Sequence, residues 1–224
     1  MPSSFHSRRH FLELAAATSL TAASAAFWLT GSTARAAESA TVPVADLMAD
    51  ATLPDVALGK DDAPVTMIEY LSMTCSHCAA FHAETYPTLM KDYVETGKVR
   101  FIMREFPLDP LAAVGFMLAR YAGPDKRNAV VDLLFAQQRN WAFGDKNIEA
   151  LEALVKQTGM TKKSFDECLA DKALYGKINQ FRDDASKKFG INATPTFFIN
   201  GTRHAGGFDV EELHKLVDPL LTKG

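Results

Sequence analysis

Two cysteines with a serine and a histidine between them, Cys75-Ser76-His77-Cys78, stand where an apolar run gives way to a helical pattern. A thiol reacts as its thiolate, and its pKa falls at a helix N-terminus, where free backbone N–H groups and the helix dipole favour negative charge. Cys75 at the helix entrance would carry the exposed sulfur. Cys78, one turn further in, could attack a mixed disulfide formed on Cys75. His77 can set an imidazole N–H or a positive charge beside the Cys75 sulfur and favour its thiolate. The chemistry this predicts is dithiol–disulfide exchange. A CxxC is also half of a zinc site, and His82, one turn beyond Cys78, could join both cysteines around a metal. Structural zinc needs a second ligand pair, and the chain has one other cysteine, Cys168. No metal or cofactor is therefore expected, and His82 reads as a surface histidine on an amphipathic helix.

The elements around this pair follow from periodicity. Residues 65–71 read as a mostly buried strand, and Ala79, Ala80, Phe81, Tyr86 and Leu89 recur as on a helix that Gly97 closes. Residues 98–104 alternate as a second strand, so strand, helix and strand form a βαβ unit with parallel pairing. An edge strand is expected within 53–59 and a turn over 59–64. From Leu108 to Phe189 the period is helical, with helices over 110–121, 126–139, 148–155, 162–170 and 174–189, punctuated by Gly123-Pro124, Gly159 and Gly190. A strand over 196–199, an Asn200-Gly201 hairpin turn and a short strand at 203–205 follow. Asp209 then caps a last helix through Leu213, Leu216, Val217 and Leu220.

The stretch Ser72-Met73-Thr74-Cys75-Ser76-His77-Cys78, with Glu69 upstream and Thr194-Pro195-Thr196-Phe197-Phe198-Ile199-Asn200-Gly201 downstream, resembles the DsbA family of thioredoxin-fold oxidoreductases from about Leu53 onward. The resemblance implies an α/β thioredoxin-like fold, βαβ then ββα around a mixed central sheet, with an inserted all-helical subdomain. The thioredoxin-like part would cover 53–107 and 190–224, and the insertion 108–189. It also implies a Cys75–Cys78 disulfide, a cis Pro195 facing it, and a Thr194 carbonyl that pairs with an extended substrate. From the residues alone, X-Pro is the one bond where cis is cheap, and a trans loop entering a strand remains the alternative. Glu69 matches the family's buried acid. If it faces inward it could pass protons to or from Cys78; an outward-facing residue on an alternating strand is the other possibility. Ser76 replaces the proline of the family's Pro-His dipeptide, which leaves the strength of oxidation open.

The first 36 residues read as a targeting segment. Arg8-Arg9 with Phe11-Leu12 resembles a twin-arginine signal, with a Sec route open because Glu13 is a departure, and 14–30 is apolar. Ala34-Arg35-Ala36 offers cleavage before Ala37. An uncleaved anchor is the alternative, but the stretch is diluted by Thr and Ser. Residues 37–52 read as a linker with a weak first helix. Cleavage would remove three arginines and one glutamate from 24 Lys+Arg and 27 Asp+Glu, leaving a net charge of −5 and no basic block. Nucleic acid is excluded as a partner on that ground.

The expected function is a periplasmic, monomeric thiol:disulfide oxidase acting on reduced, unfolded exported proteins. A quinone-linked membrane oxidase of the DsbB type, implied by the resemblance alone, would reoxidise it. A reductase or isomerase is the nearest alternative, and a peptide-binding or chaperone module the non-enzymatic one. Cys168 reads as a small buried hydrophobe sharing a face with Phe165 and Leu169, an unpaired reactive thiol being the alternative. Met73, Met103 and Met117 read as ordinary core filling, with a place for Met73 on the surface beside Cys75 as the alternative.

Overall fold

The computed structural model describes residues 41–49 and 52–222. The targeting segment expected over 1–36 lies outside the described residues, as do residues 37–40, 50 and 51 of the expected linker. Helix α1 (Val44–Met48) and the two-residue strand β1 (Ala57–Leu58) lead into β2 (Val65–Leu71). Six of the seven β2 residues are buried, the mark of a strand covered on both faces. Helix α2 (Ser76–Glu84) follows, then α3 (Tyr86–Leu89) and one π-helical turn, Met90–Val94. The break at Thr85 (φ −105°) precedes Pro87, which has no N–H to donate back and whose ring crowds the preceding turn. Gly97, at φ 76°, turns the chain into β3 (Val99–Glu105).

Between β3 and the next strand run α4 (Pro110–Tyr121), α5 (Pro124–Ala136), α6 (Gln138–Trp141), α7 (Asn147–Lys156), α8 (Lys162–Ala170) and α9 (Lys172–Phe189). Side chains of Asp109, Thr161 and Asp171 cap α4, α8 and α9 by accepting backbone N–H bonds. Left-handed Gly190 ends α9. The helix expected over 126–139 is two helices, because Gln137 leaves helical geometry at φ −111°, ψ 13°. Strands β4 (Thr196–Ile199) and β5 (Thr202–Ala205) meet at Asn200-Gly201, both at positive φ, and α10 (Val210–Leu221) closes the fold.

The sheet order is β1-β3-β2-β4-β5, with β2 parallel to β3 and antiparallel to β4. This is a βαβ half joined to a ββα half around a mixed sheet, a thioredoxin-like fold with helices inserted between β3 and β4. Among the described residues, no helix is long and apolar enough to cross a membrane.

Two buried arginines tie the layers together. Arg104 on β3 donates to the Leu47 carbonyl of α1, the Tyr70 hydroxyl and both oxygens of Asp55. Arg127 on α5 donates to Glu105 of β3 at 2.7 Å and to the Met103 carbonyl at 2.9 Å, while Arg120 of α4 reaches the same Glu105 oxygen at 2.9 Å. The inserted helices are thus hydrogen-bonded to the strand that runs beside β2.

Candidate active site

Parallel β2 delivers the chain to the loop 72–75, and the Cys75 N–H donates to the Ser72 carbonyl in a tight turn. Cys75 is the N-cap of α2, and its sulfur accepts the Cys78 N–H at 3.5 Å. Both cysteines are free, and Cys78 is fully buried. The loop is held from outside the sheet. Gln138 of α6 donates its amide to the carbonyls of Met73 (2.8 Å) and Cys75 (3.0 Å), and Thr74 donates to the capping carboxylate of Asp109. These contacts come from the inserted helices, and no local spacing in the sequence announces them.

The Thr194–Pro195 bond is cis. It brings the Thr194 carbonyl to 3.3 Å from the Cys75 sulfur, as acceptor of the thiol proton. Gly207, in the loop before α10, has room for a Cβ only against the His77 carbonyl, Phe81 and the Pro195 ring. Cys75, Cys78, Thr194 and Pro195 therefore meet at one end of the sheet, as their separation of more than a hundred residues alone could not reveal.

The two thiols are electrostatically opposite. Hydrogen bonding from the Cys78 thiol, then the nearby Thr194 hydroxyl and the N–H groups of Cys78 and His77, outweigh burial and hold the Cys75 pKa down to about 5. The geometric contact from Thr194 to the sulfur is its carbonyl, and Thr194 Oγ1 is buried beside it without a hydrogen-bond partner among the described residues. Burial, the Cys75 sulfur and the nearby Glu69 charge push Cys78 well above the usual thiol range. His77 contributes its backbone N–H to the sulfur, and its side chain is exposed. Cys168, buried on α8, is pushed up to about 12 by desolvation.

Three placements differ from the sequence reading or resolve it. Glu69 faces inward and is fully buried. His82 is not on the surface: it is 8% exposed, and its Nε2 lies 3.0 Å from Glu69 Oε2. Helix α5 covers that side of α2, and the alanines flanking His82 give too little contrast to show it. Met73 does not line the surface. It is fully buried, with its side chain against Gly115 of α4.

Cys75 is not the exposed residue its place at the helix entrance implied: it is 9% exposed, against none for Cys78. Such a pair can do stepwise exchange: the outer thiolate forms or receives a mixed disulfide, and a protonated neighbour one turn away resolves it. Near pH 6 iodoacetamide should modify Cys75 rapidly while Cys78 and Cys168 resist, because only a thiolate reacts at a useful rate. Peptide mapping reads the outcome, and faster modification of Cys78 would contradict this assignment.

A thioredoxin family model matches residues 51–219. The chain is 32% identical over 172 residues to a Rickettsia felis protein provisionally named a protein-disulfide oxidoreductase, covering 75% of this chain and 60% of that protein. It thus spans about three-fifths of the length of that relative. It is 27% identical over 168 residues to disulfide bond formation protein D of Bacillus subtilis, covering 73% of this chain and 76% of the relative. The crystal structure of Wolbachia pipientis α-DsbA1 superposes with a TM-score of 0.73 at 30% identity, covering 80% of this chain and 96% of that one. Sequence kinship and strand order converge, and the chain belongs to the thioredoxin-fold family of DsbA-type thiol:disulfide oxidoreductases.

Proposed function

We propose that this protein is an exported oxidase that donates a Cys75–Cys78 disulfide to reduced, unfolded proteins in the periplasm. The observation that carries the reading is the asymmetry of the two sulfurs, with Cys75 held down to about 5 and Cys78 pushed well up. Stabilising one thiolate stabilises the reduced form, and a stabilised reduced form makes the disulfide a good oxidant. Cys75 is the attacked and attacking sulfur, and Cys78 the resolving one. The Thr194 backbone beside Pro195 pairs with the extended substrate as an added strand. Export rests on the twin-arginine-like segment and its cleavage site before Ala37. A quinone-linked membrane oxidase of the DsbB type is the proposed source of oxidising equivalents, and the working unit is a monomer.

The test is exchange with a synthetic peptide carrying two thiols. One equivalent of oxidised protein should convert one equivalent of peptide to its disulfide and emerge as dithiol. The Cys78→Ala variant, given the peptide already in its disulfide form, should instead be trapped as a mixed disulfide: the Cys75 thiolate attacks one peptide sulfur, the other leaves as a thiol, and no second cysteine of the protein resolves the bond. Preferential transfer of electrons from the reduced protein to the peptide disulfide would make it a reductase.

A further inference from the structure

Beneath the cysteines runs a row of buried polar groups that exchange at sulfur does not by itself require. It starts at Glu69 on β2, which is buried beside Cys78 without a hydrogen bond to it, leaving Oε1 unpartnered among the described residues, and whose charge raises the thiol. It continues through His82, 3.0 Å away on α2, to Asp132 on α5, whose Oδ1 lies 3.7 Å from His82 Nδ1. Glu69 Oε1, His82 Nδ1 and Asp132 Oδ1 are all buried and lack hydrogen-bond partners among the described residues. The rings of Tyr86 and Phe135 flank the imidazole, with centroids 4.6 and 4.4 Å away. The row ends in a cavity of about 420 Å³ lined by His82, Asp132, Tyr86 and Met90. Asp132 is half-exposed, so the far end of the row is in contact with water.

Building on the dithiol function proposed above, we propose that His82 relays protons between the buried Cys78–Glu69 pair and water in the Asp132 cavity. When a substrate thiolate attacks Cys75, a new S–S bond forms and the Cys75–Cys78 bond breaks, its electron pair leaving on Cys78. That sulfur then needs a proton, and no solvent touches it. Glu69 supplies the proton, His82 restores it to Glu69, and the cavity restores it to His82. On reoxidation the flow reverses: Cys78 loses its proton to Glu69 as its sulfur attacks Cys75 in the mixed disulfide, the Cys75–partner bond breaks, and the partner sulfur leaves with the electron pair as its thiolate. One proton moves per step, and no further co-reactant is needed.

The charges around His82 suit it to this part. Glu69 and Asp132 outweigh its burial and raise its pKa to about 9, while burial raises Glu69. Tyr86, the other titratable side chain against the ring, is raised by burial and by the same two carboxylates and stays a neutral phenol. At neutral pH the row therefore holds a proton ready beside the sulfur.

The test uses the full chain and oxidised glutathione, following two rates from pH 5 to 9 by rapid quench: attack of Cys75, and release of glutathione by Cys78. In His82→Gln the side chain still donates to Glu69 but cannot shuttle a proton. The Cys78 step should fall roughly 100-fold, the lower end of the range for a lost general acid–base group, with a flattened pH profile. Asp132→Asn, isosteric and at a half-exposed position, should slow the same step and shift its profile. The Cys75 step should hold in both variants. A wild-type rate and pH profile for the Cys78 step in Asp132→Asn, and in His82→Gln where it folds, overturns the relay. Failure of Cys75 to form a mixed disulfide in the unmodified protein would instead overturn the dithiol function.

Discussion

In urea near pH 8.5 the reduced protein should be more stable than the oxidised protein, and the difference should shrink as the pH falls toward 5. The Cys75 thiol lies at about 5 in the fold against an ordinary 9.0. A group depressed on folding contributes fully above its unfolded pKa and loses that contribution as the pH falls through the folded one. The oxidised protein has no thiolate and no such contribution. A displacement of this size is worth at most about 5 kcal/mol, and screening by water that reaches the sulfur reduces it to roughly 2–3 kcal/mol. Opposing it, a disulfide closing a four-residue loop stabilises by about 2 kcal/mol through the unfolded chain. The thiolate should therefore prevail at high pH and the cross-link at low pH. Urea midpoints of both forms at the two pH values decide the matter. An oxidised form clearly more stable at both would defeat the oxidase function.

Arg127→Ala should destabilise the fold by about 3–5 kcal/mol, the cost of leaving a buried charge without its partner. Arg127 and Glu105 are both about 1% exposed, and the guanidinium also satisfies the Met103 carbonyl and Asn128 Oδ1. Arg120 reaches Glu105 from the protein's edge and would be its one remaining cation. Burial works against the Glu105 carboxylate, but Arg127 and Arg120 overcome it and hold the pKa down to about 2. Its contribution is present above the ordinary carboxylate value of 4.5 and is lost as the pH falls toward 2. Acid unfolding of Arg127→Ala should accordingly begin at higher pH than in the parent. A loss below about 1 kcal/mol in urea would mean that the pair is no stronger than a surface ion pair.

Local signals carried much of this architecture. Pro110–Tyr121, Lys162–Ala170 and Thr196–Ile199 lie where apolar period, glycine and proline breaks and Asn-Gly chemistry place them, because those forces act within a few residues. The orientation of Glu69 was not legible: β2 is buried on both faces, so its apolar run has no alternation to report. His82 misled for a related reason. Helix α2 exposes alanines on its flanks, and the neighbour that buries His82 is α5, about fifty residues away along the chain. Gln138 and Asp132 gave no sign at all, since a glutamine or aspartate on a helix acquires meaning only from what the fold sets against it. The motif located the sulfurs; the inserted helices supply the groups that hold their loop and line their buried side.

The most direct measurement is the equilibrium of the Cys75–Cys78 disulfide with a glutathione redox buffer at neutral pH. A thiolate stabilised as Cys75 is should leave the pair at least about 30 mV more positive than the roughly −270 mV of thioredoxin, a tenfold shift toward dithiol. A potential at or below that of thioredoxin would mean that the protein holds its disulfide too tightly to give it away.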